Sequence, residues 1–292
     1  MKRRNPLTGR RVLVCGKIGK KIFPKTRIKC IGNGGFGCVL APALLYKRRF
    51  ITPDSHREYV SKILKKNDAI REYKLSKEIC KLIHHQNVGI FPVDSLEDFN
   101  IEKISNKKYF LKNCKQLTRY KHGLSVLKDL KCIQYKRFQS DFWRHSDYLA
   151  ANPDITEHLF EQVTNKLNIL HSKDIVHMDI MNENLAYISD KEASIFDFGL
   201  AHILNSSSNI RKLVREFKDR RERLFDEYLH VEDTPIGDKL EAYFQKYKND
   251  DAKMVKYFKC MDHLMLIASK CDIFGDDNSL PCIEYINNNL LQ

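Results

Sequence analysis

No run of this sequence approaches the roughly 20 consecutive apolar residues that a membrane-spanning helix requires, so a membrane span is not expected. The opening stretch, MKRRNPLTGRR, is basic but has no apolar segment behind it, which predicts an intracellular protein without a secretory signal. The cysteines, at 15, 30, 38, 80, 114, 132, 260, 271 and 282, are odd in number and never spaced as C-x-x-C. Neither a zinc site nor a disulfide framework is indicated, and reduced thiols are expected. Repeats and long low-complexity tracts are also missing; NSSSN at 205–209 is a short linker-like patch. Acidic residues are the minority sign, 37 against 51 Lys and Arg, for a formal charge of +14.

With 42% hydrophobic and 30% charged residues, 16 Phe and 13 Tyr, the 292-residue chain has material for a packed core and reads as one large domain or two lobes. Much of the excess positive charge lies in the first 29 residues and in IRKLVREFKDRRER at 210–223. Such a surface draws polyanions such as nucleic acid, anionic lipid or acidic protein, unless it is simply solvated. Oligomeric state is not encoded in any feature of the sequence.

The first half is strand-rich. RIKCIGNGGFGCVLAPALLY alternates and turns on glycines as a hairpin does, EYVSKILK is a further strand, and DAIREYKLSKEICKLI has helical spacing. From about 153 the pattern is mainly helical. NPDITEHLFEQVTNKLNILHSK has Asn152 or Asp154 as N-cap and one apolar face made of Ile155, Leu159, Phe160, Val163, Leu167 and Leu170. Ile210, Leu213, Val214, Phe217, Leu224 and Tyr228 predict a charged amphipathic helix over about 210–230, and MVKYFKCMDHLMLIASKC a buried one.

GNGGFGCV supplies G-x-G-x-x-G through Gly32, Gly34 and Gly37, with Val39 two residues on. Glycines let the chain turn sharply and bring backbone N–H groups up to phosphate oxygens with no Cβ in the way. A dinucleotide fold needs these glycines to run into a helix, which Pro42 disfavours; a flap joining two strands over a nucleotide is the other reading, and a plain hairpin the third. Downstream, His177, Asp179 and Asn184 form H-x-D-x-x-x-x-N, and Asp197, Phe198 and Gly199 form D-F-G. The interval between Asp179 and Asp197 has room for a loop, a strand LAYI and a second strand ASIF, which brings the two acids to one edge.

In this order the motifs resemble those of protein kinases over about residues 26–270. The resemblance implies an α+β, two-lobed kinase-like fold: a basic segment 1–25, a small strand-rich lobe over 26–137, and a larger helical lobe over 138–292 with a shortened C-terminal part. It implies ATP and Mg2+ as cofactors and a protein substrate. Gly32, Asn33, Gly34, Gly35, Phe36, Gly37 and Val39 would cover the nucleotide, and Lys62 in YVSKIL would hold its phosphates. Glu72, with Glu78 as rival, would pair with that lysine; Asp179 would accept the hydroxyl proton, and Asn184 and Asp197 would bind metal.

Family members usually carry Arg after the His and, in the serine/threonine branch, Lys two residues after the Asp; here these are Met178 and Met181. The first change removes a phosphate-switch contact, and the second a charge on the transferring group. No A-P-E follows, and Asp262 resembles the buried acid that supports the catalytic loop, unless it is an ordinary polar helix position. The short helical lobe resembles that of divergent serine/threonine kinases of large DNA viruses, which would place the protein in host cytoplasm or virion. NPLTGRRVLVCGKIGKK resembles part of a viral two-cysteine adaptor motif, or is a turn. The expected function is an ATP- and Mg-dependent protein kinase acting on Ser or Thr. The alternatives are a pseudokinase scaffold whose basic surface binds acidic partners or nucleic acid, and a small-molecule phosphotransferase.

Overall fold

The computed structural model describes residues 2–4, 11–13, 29–33, 37–41, 58–84, 86–93, 96–99, 114, 130–219, 224–225, 229, 234–275 and 279–290. The chain forms two compact units, Met1–Lys74 with Phe91–Arg137 and Leu75–Ile90 with Phe138–Gln292. As the sequence predicts, a strand-rich N-terminal region precedes a helical C-terminal part.

In the first unit, β1 (Lys2–Arg4) pairs antiparallel with β2 (Arg11–Leu13). The rest of the adaptor-like segment lies outside the described residues. The main sheet contains β3 (Lys29–Asn33), β4 (Gly37–Ala41), β5 (Tyr59–Lys65), β6 (Glu97–Asp98) and β7 (Leu130–Lys136) in the order β3-β4-β5-β7-β6, with every pair antiparallel. Alternation along each strand splits the core in two. Cys38, Leu40, Ile63, Leu130 and Cys132 point to one face with Phe99 and Cys114. Leu64 and Ile133 point to the other, against Ala69 and Tyr73 of α1 (Lys66–Leu82), which follows β5 directly. The division between units falls within α1.

Cys38 and Cys114 are joined as a disulfide with Cα atoms 5.8 Å apart. This corrects the expectation of reduced thiols for that pair. The two residues are 76 positions apart with no spacing motif around them, so only the folding of the sheet brings them together.

The second unit contains β8 (Ser140–Asp141), α2 (Ser146–Ala151), α3 (Pro153–His171) and the short strand β9 (Ile175–Val176). β10 (Leu185–Ser189) and β11 (Glu192–Ile195) form a hairpin, and β12 (His202–Ile203) pairs with β9. Then come α4 (Ser207–Lys218), α5 (Pro235–Tyr247), α6 (Asp251–Phe274) and α7 (Ser279–Asn289). Asn152 does occupy the N-cap of α3, with Pro153 at the first helical position, but its side chain does not cap. It donates instead to the Tyr148 carbonyl, because α2 ends there and its last carbonyls need donors.

Of the expected helix over 210–230, α4 accounts for the part up to Lys218; Leu224 and Phe225 are also helical and buried, and 220–223 and Tyr228 lie outside the described residues. α6 is the spine of this unit, buried at most positions from Met254 to Ile273. Its Tyr257 and Phe258 pack with Phe217 of α4 and Phe244 of α5. No helix of the described residues is long and apolar enough to cross a membrane.

Candidate active site

The glycine run is flanked by β3 and β4, which pair antiparallel with Gly32 opposite Val39 and Asn33 opposite Cys38. It therefore joins two strands and does not enter a helix, unlike the dinucleotide arrangement. Gly34, Gly35 and Phe36 lie outside the described residues. Val39 is in turn opposite Lys62 on β5, and Lys62 is opposite Ile133 on β7. Directly opposed residues share a face, so Lys62 stands on the α1 side of the sheet beside Val39.

There the Lys62 ammonium reaches both oxygens of Glu72, at 3.0 and 2.9 Å. The Tyr135 hydroxyl, on the same face of β7, donates to Glu72 as well. Glu78 is exposed, whereas Glu72 is 4% exposed, so the structure pairs Lys62 with Glu72 and not with its rival. The buried stripe of α1 runs through Ala69, Glu72, Ser76 and Ile79, at helical spacing but partly polar.

In the second unit, the loop after β9 holds His177, Met178 and Asp179. The Asn184 amide donates to the Asp179 carboxylate at 2.7 Å and to the Asp179 carbonyl at 2.9 Å. The Asn184 carbonyl accepts from the Phe196 N–H at 3.0 Å, at the open end of the β10–β11 hairpin. Asp197 is the next residue, held in the left-handed region at φ 61°. One asparagine thus ties the Asp179 carboxylate to the strand end that carries Asp197. Its amide nitrogen is thus directed at Asp179 through both bonds, and its side-chain oxygen is not used in holding that residue.

Helix α6 fixes this loop from below. Asp262, fully buried, accepts from the backbone N–H of His177 and of Met178, both at 2.7 Å, and lies 3.0 Å from His171 Nε2. Two turns on, Ser269 donates to the Ile180 carbonyl and its own carbonyl accepts from the Asn182 amide at 2.8 Å. Met178 itself is at φ 60°, a conformation that a side chain tolerates only when its surroundings enforce it. Beside the cluster, burial pushes the His263 imidazole down to about 4, with the neighbouring His171 adding to the effect. Asp262 is therefore the loop's anchor and not an ordinary helix position. Ser269 and His171 had no motif to mark them, although an Asp and a Ser seven residues apart on an apolar helix are a signal of shared work on one face.

Gly89 is a further contributor. A Cβ there would stand 2.6 Å from the Cε2 and Cζ atoms of Phe198 and 3.1 Å from the Ile195 carbonyl oxygen. Phe198 is 2% exposed and packs edge-on against His177, so its ring has nowhere to retreat. Gly89→Ala is expected to cost about 1–3 kcal/mol of overpacking, read as a fall of roughly 2–12 °C in melting temperature. Displacing Phe198 would also shift Asp197, the residue before it. An unchanged melt would mean that the ring moves freely.

Residues 26–219 match the protein kinase domain family. The chain is 30% identical over 132 residues to serine/threonine-protein kinase 1 of Heliothis zea nuclear polyhedrosis virus, covering 44% of this chain and 46% of that protein. It is 26% identical over 185 residues to 3-phosphoinositide-dependent protein kinase 1 of Homo sapiens, covering 62% of this chain and 27% of that protein. The matched region thus spans less than half the length of these relatives.

Proposed function

Because this chain belongs to the protein kinase family, we propose that it transfers the γ-phosphate of ATP, with Mg2+, to Ser or Thr hydroxyls of protein acceptors. The observation that carries this reading is Asn184, whose side-chain amide donates to the Asp179 carboxylate while its backbone carbonyl accepts from Phe196 N–H, one residue before Asp197. Asn184 and Asp197 are the residues that would hold Mg2+. An amide oxygen and a carboxylate are the hard donors it prefers, and it commonly takes only one or two carboxylates with phosphate and water as the remainder. Magnesium-bound ATP supplies the phosphoryl group and the neutralisation of its charge.

The chain's own residues do the rest. Lys62, steadied by Glu72 and Tyr135, holds phosphate oxygens by charge, and the backbone of the glycine run offers N–H donors to them. Asp179 accepts the hydroxyl proton as the acceptor oxygen bonds to phosphorus and the bond to the leaving diphosphate oxygen breaks. Met181 offers no charge to the transferring group, so turnover is expected to be about 10²- to 10³-fold below that of a site with a lysine there.

The viral relative's name fits the Ser/Thr preference and a viral setting. The test is radiolabel transfer from ATP to protein acceptors, with melting temperature followed in parallel. Mg-ATP is expected to raise the melting temperature of the parent and not of Asp197→Ala, and Lys62→Met is expected to lose transfer. Transfer undiminished in Lys62→Met would remove the assignment.

A further inference from the structure

Helix α4 carries a charge pattern that phosphoryl transfer does not use. Its buried face, Ile210, Leu213 and Phe217, is fixed by the aromatic cluster of α5 and α6. At 100° per residue, Arg211, Arg215 and Lys218 lie within an arc of about 60° on the opposite side, and all three are exposed. The acid within α4, Glu216, faces elsewhere, toward His202 at 3.3 Å and Lys212 at 3.8 Å. Asp219 follows at the helix end, on the Lys212 side of the arc. Among the described residues no acid is paired with the three cations. Like charges one turn apart repel, so the row is a cost to the helix that packing on the other face offsets.

Its place in the chain gives the row a use. α4 begins just past β12, and β12 is paired with β9, the strand that runs into His177 and Asp179. The Asn209 side chain bonds back to the Ile203 carbonyl at 3.0 Å, which fixes the helix start to β12. The helix that carries the cations is therefore bonded at its start to the strand pair that leads into the loop of the proposed base.

From Arg211 to Arg215 the helix rises about 6 Å, and from there to Lys218 about 4.5 Å. Same-side residues of an extended peptide are about 6.6 Å apart, close to the first interval and about 2 Å longer than the second, a difference that long Arg and Lys side chains can span. Among the described residues the row has three cations, which would neutralise only about three phosphates and give a polynucleotide a shallow salt dependence.

Resting on the kinase reading above, we infer that Arg211, Arg215 and Lys218 form a specificity surface that selects protein acceptors whose hydroxyl is followed or preceded by alternating acidic residues. Two serine peptides, identical except for Asp and Glu or Ala at alternate flanking positions, separate the outcomes. The acidic peptide is expected to have the lower KM. Arg211→Gln, Arg215→Gln and Lys218→Gln together should raise that KM about 3- to 100-fold, the sum of three exposed ion pairs, while leaving transfer to the alanine peptide unchanged. Fluorescence anisotropy of the same peptides with the full chain reads binding without turnover. If no peptide is phosphorylated but the acidic one still binds through the three cations, the kinase reading fails and the surface stands. Equal KM and equal binding for both peptides would overturn the surface, as would a single-stranded oligonucleotide binding through these cations while peptide flank charge makes no difference.

Discussion

Replacing Asp262 with alanine is expected to lower the melting temperature by roughly 6–20 °C, corresponding to about 3–5 kcal/mol, and to abolish detectable phosphate transfer. The carboxylate is fully buried and accepts from two consecutive backbone N–H groups, with His171 as a third neighbour. Alanine leaves those donors in a space that water does not reach, and each unsatisfied donor costs about 1–3 kcal/mol. The loss also removes what holds Met178 at φ 60°. A loop in that state relaxes toward an ordinary backbone conformation, and Asp179, one residue further on, moves with it. Asp262→Asn keeps one acceptor oxygen but turns an NH₂ group toward a donor, so its melt should fall between those of the parent and the alanine variant. Thermal melts followed by circular dichroism decide the matter. An alanine variant within about 2 °C of the parent would mean that the two backbone bonds do not carry the loop.

The difference between what the sequence disclosed and what it did not follows from how far apart the partners lie. His177, Asp179, Asn184, Asp197 and the glycine run are legible as motifs because they stand at short fixed intervals in the sequence. Lys62 is legible only through the likeness of YVSKIL to the family's lysine strand and the order of the motifs around it. Glu72 was ambiguous with Glu78, because apolar residues alone define the expected face of α1, whereas the buried stripe includes Glu72 and Ser76. A buried acid satisfied by Lys62 and Tyr135 is invisible to an apolar count.

The supports of the loop are harder still. His177 bonds to Asp262 across 85 residues and Asn182 to Ser269 across 87, and no local pattern encodes such pairs. Gly89 has no positive φ to mark it. Its reason is Phe198, more than a hundred residues away, and only the folded chain brings the two together. Helix α4 is legible in part. Its apolar spacing holds through Phe217, and α4 closes one residue later, where an uninterrupted charged run begins in the sequence.

The substitution Asp179→Asn is expected to reduce phosphate transfer by about 10²- to 10⁴-fold while leaving the melting temperature within about 2 °C of the parent. Asparagine keeps the shape of the side chain and an oxygen that can accept from the Asn184 amide, which now bonds the carboxylate at 2.7 Å. What it loses is basicity, so the acceptor hydroxyl has no group to take its proton as the new bond to phosphorus forms. Because Asn184 and Asp197 are untouched, Mg-ATP should stabilise Asp179→Asn as well as it stabilises the parent, in contrast to Asp197→Ala. This pairing of variants separates the base from the metal donors. If Asp179→Asn transfers phosphate at the parent's rate, Asp179 is not the base. If the parent is stabilised by Mg-ATP but transfers nothing, the replacement of charge by Met181 has removed turnover altogether, and the chain binds nucleotide without using it.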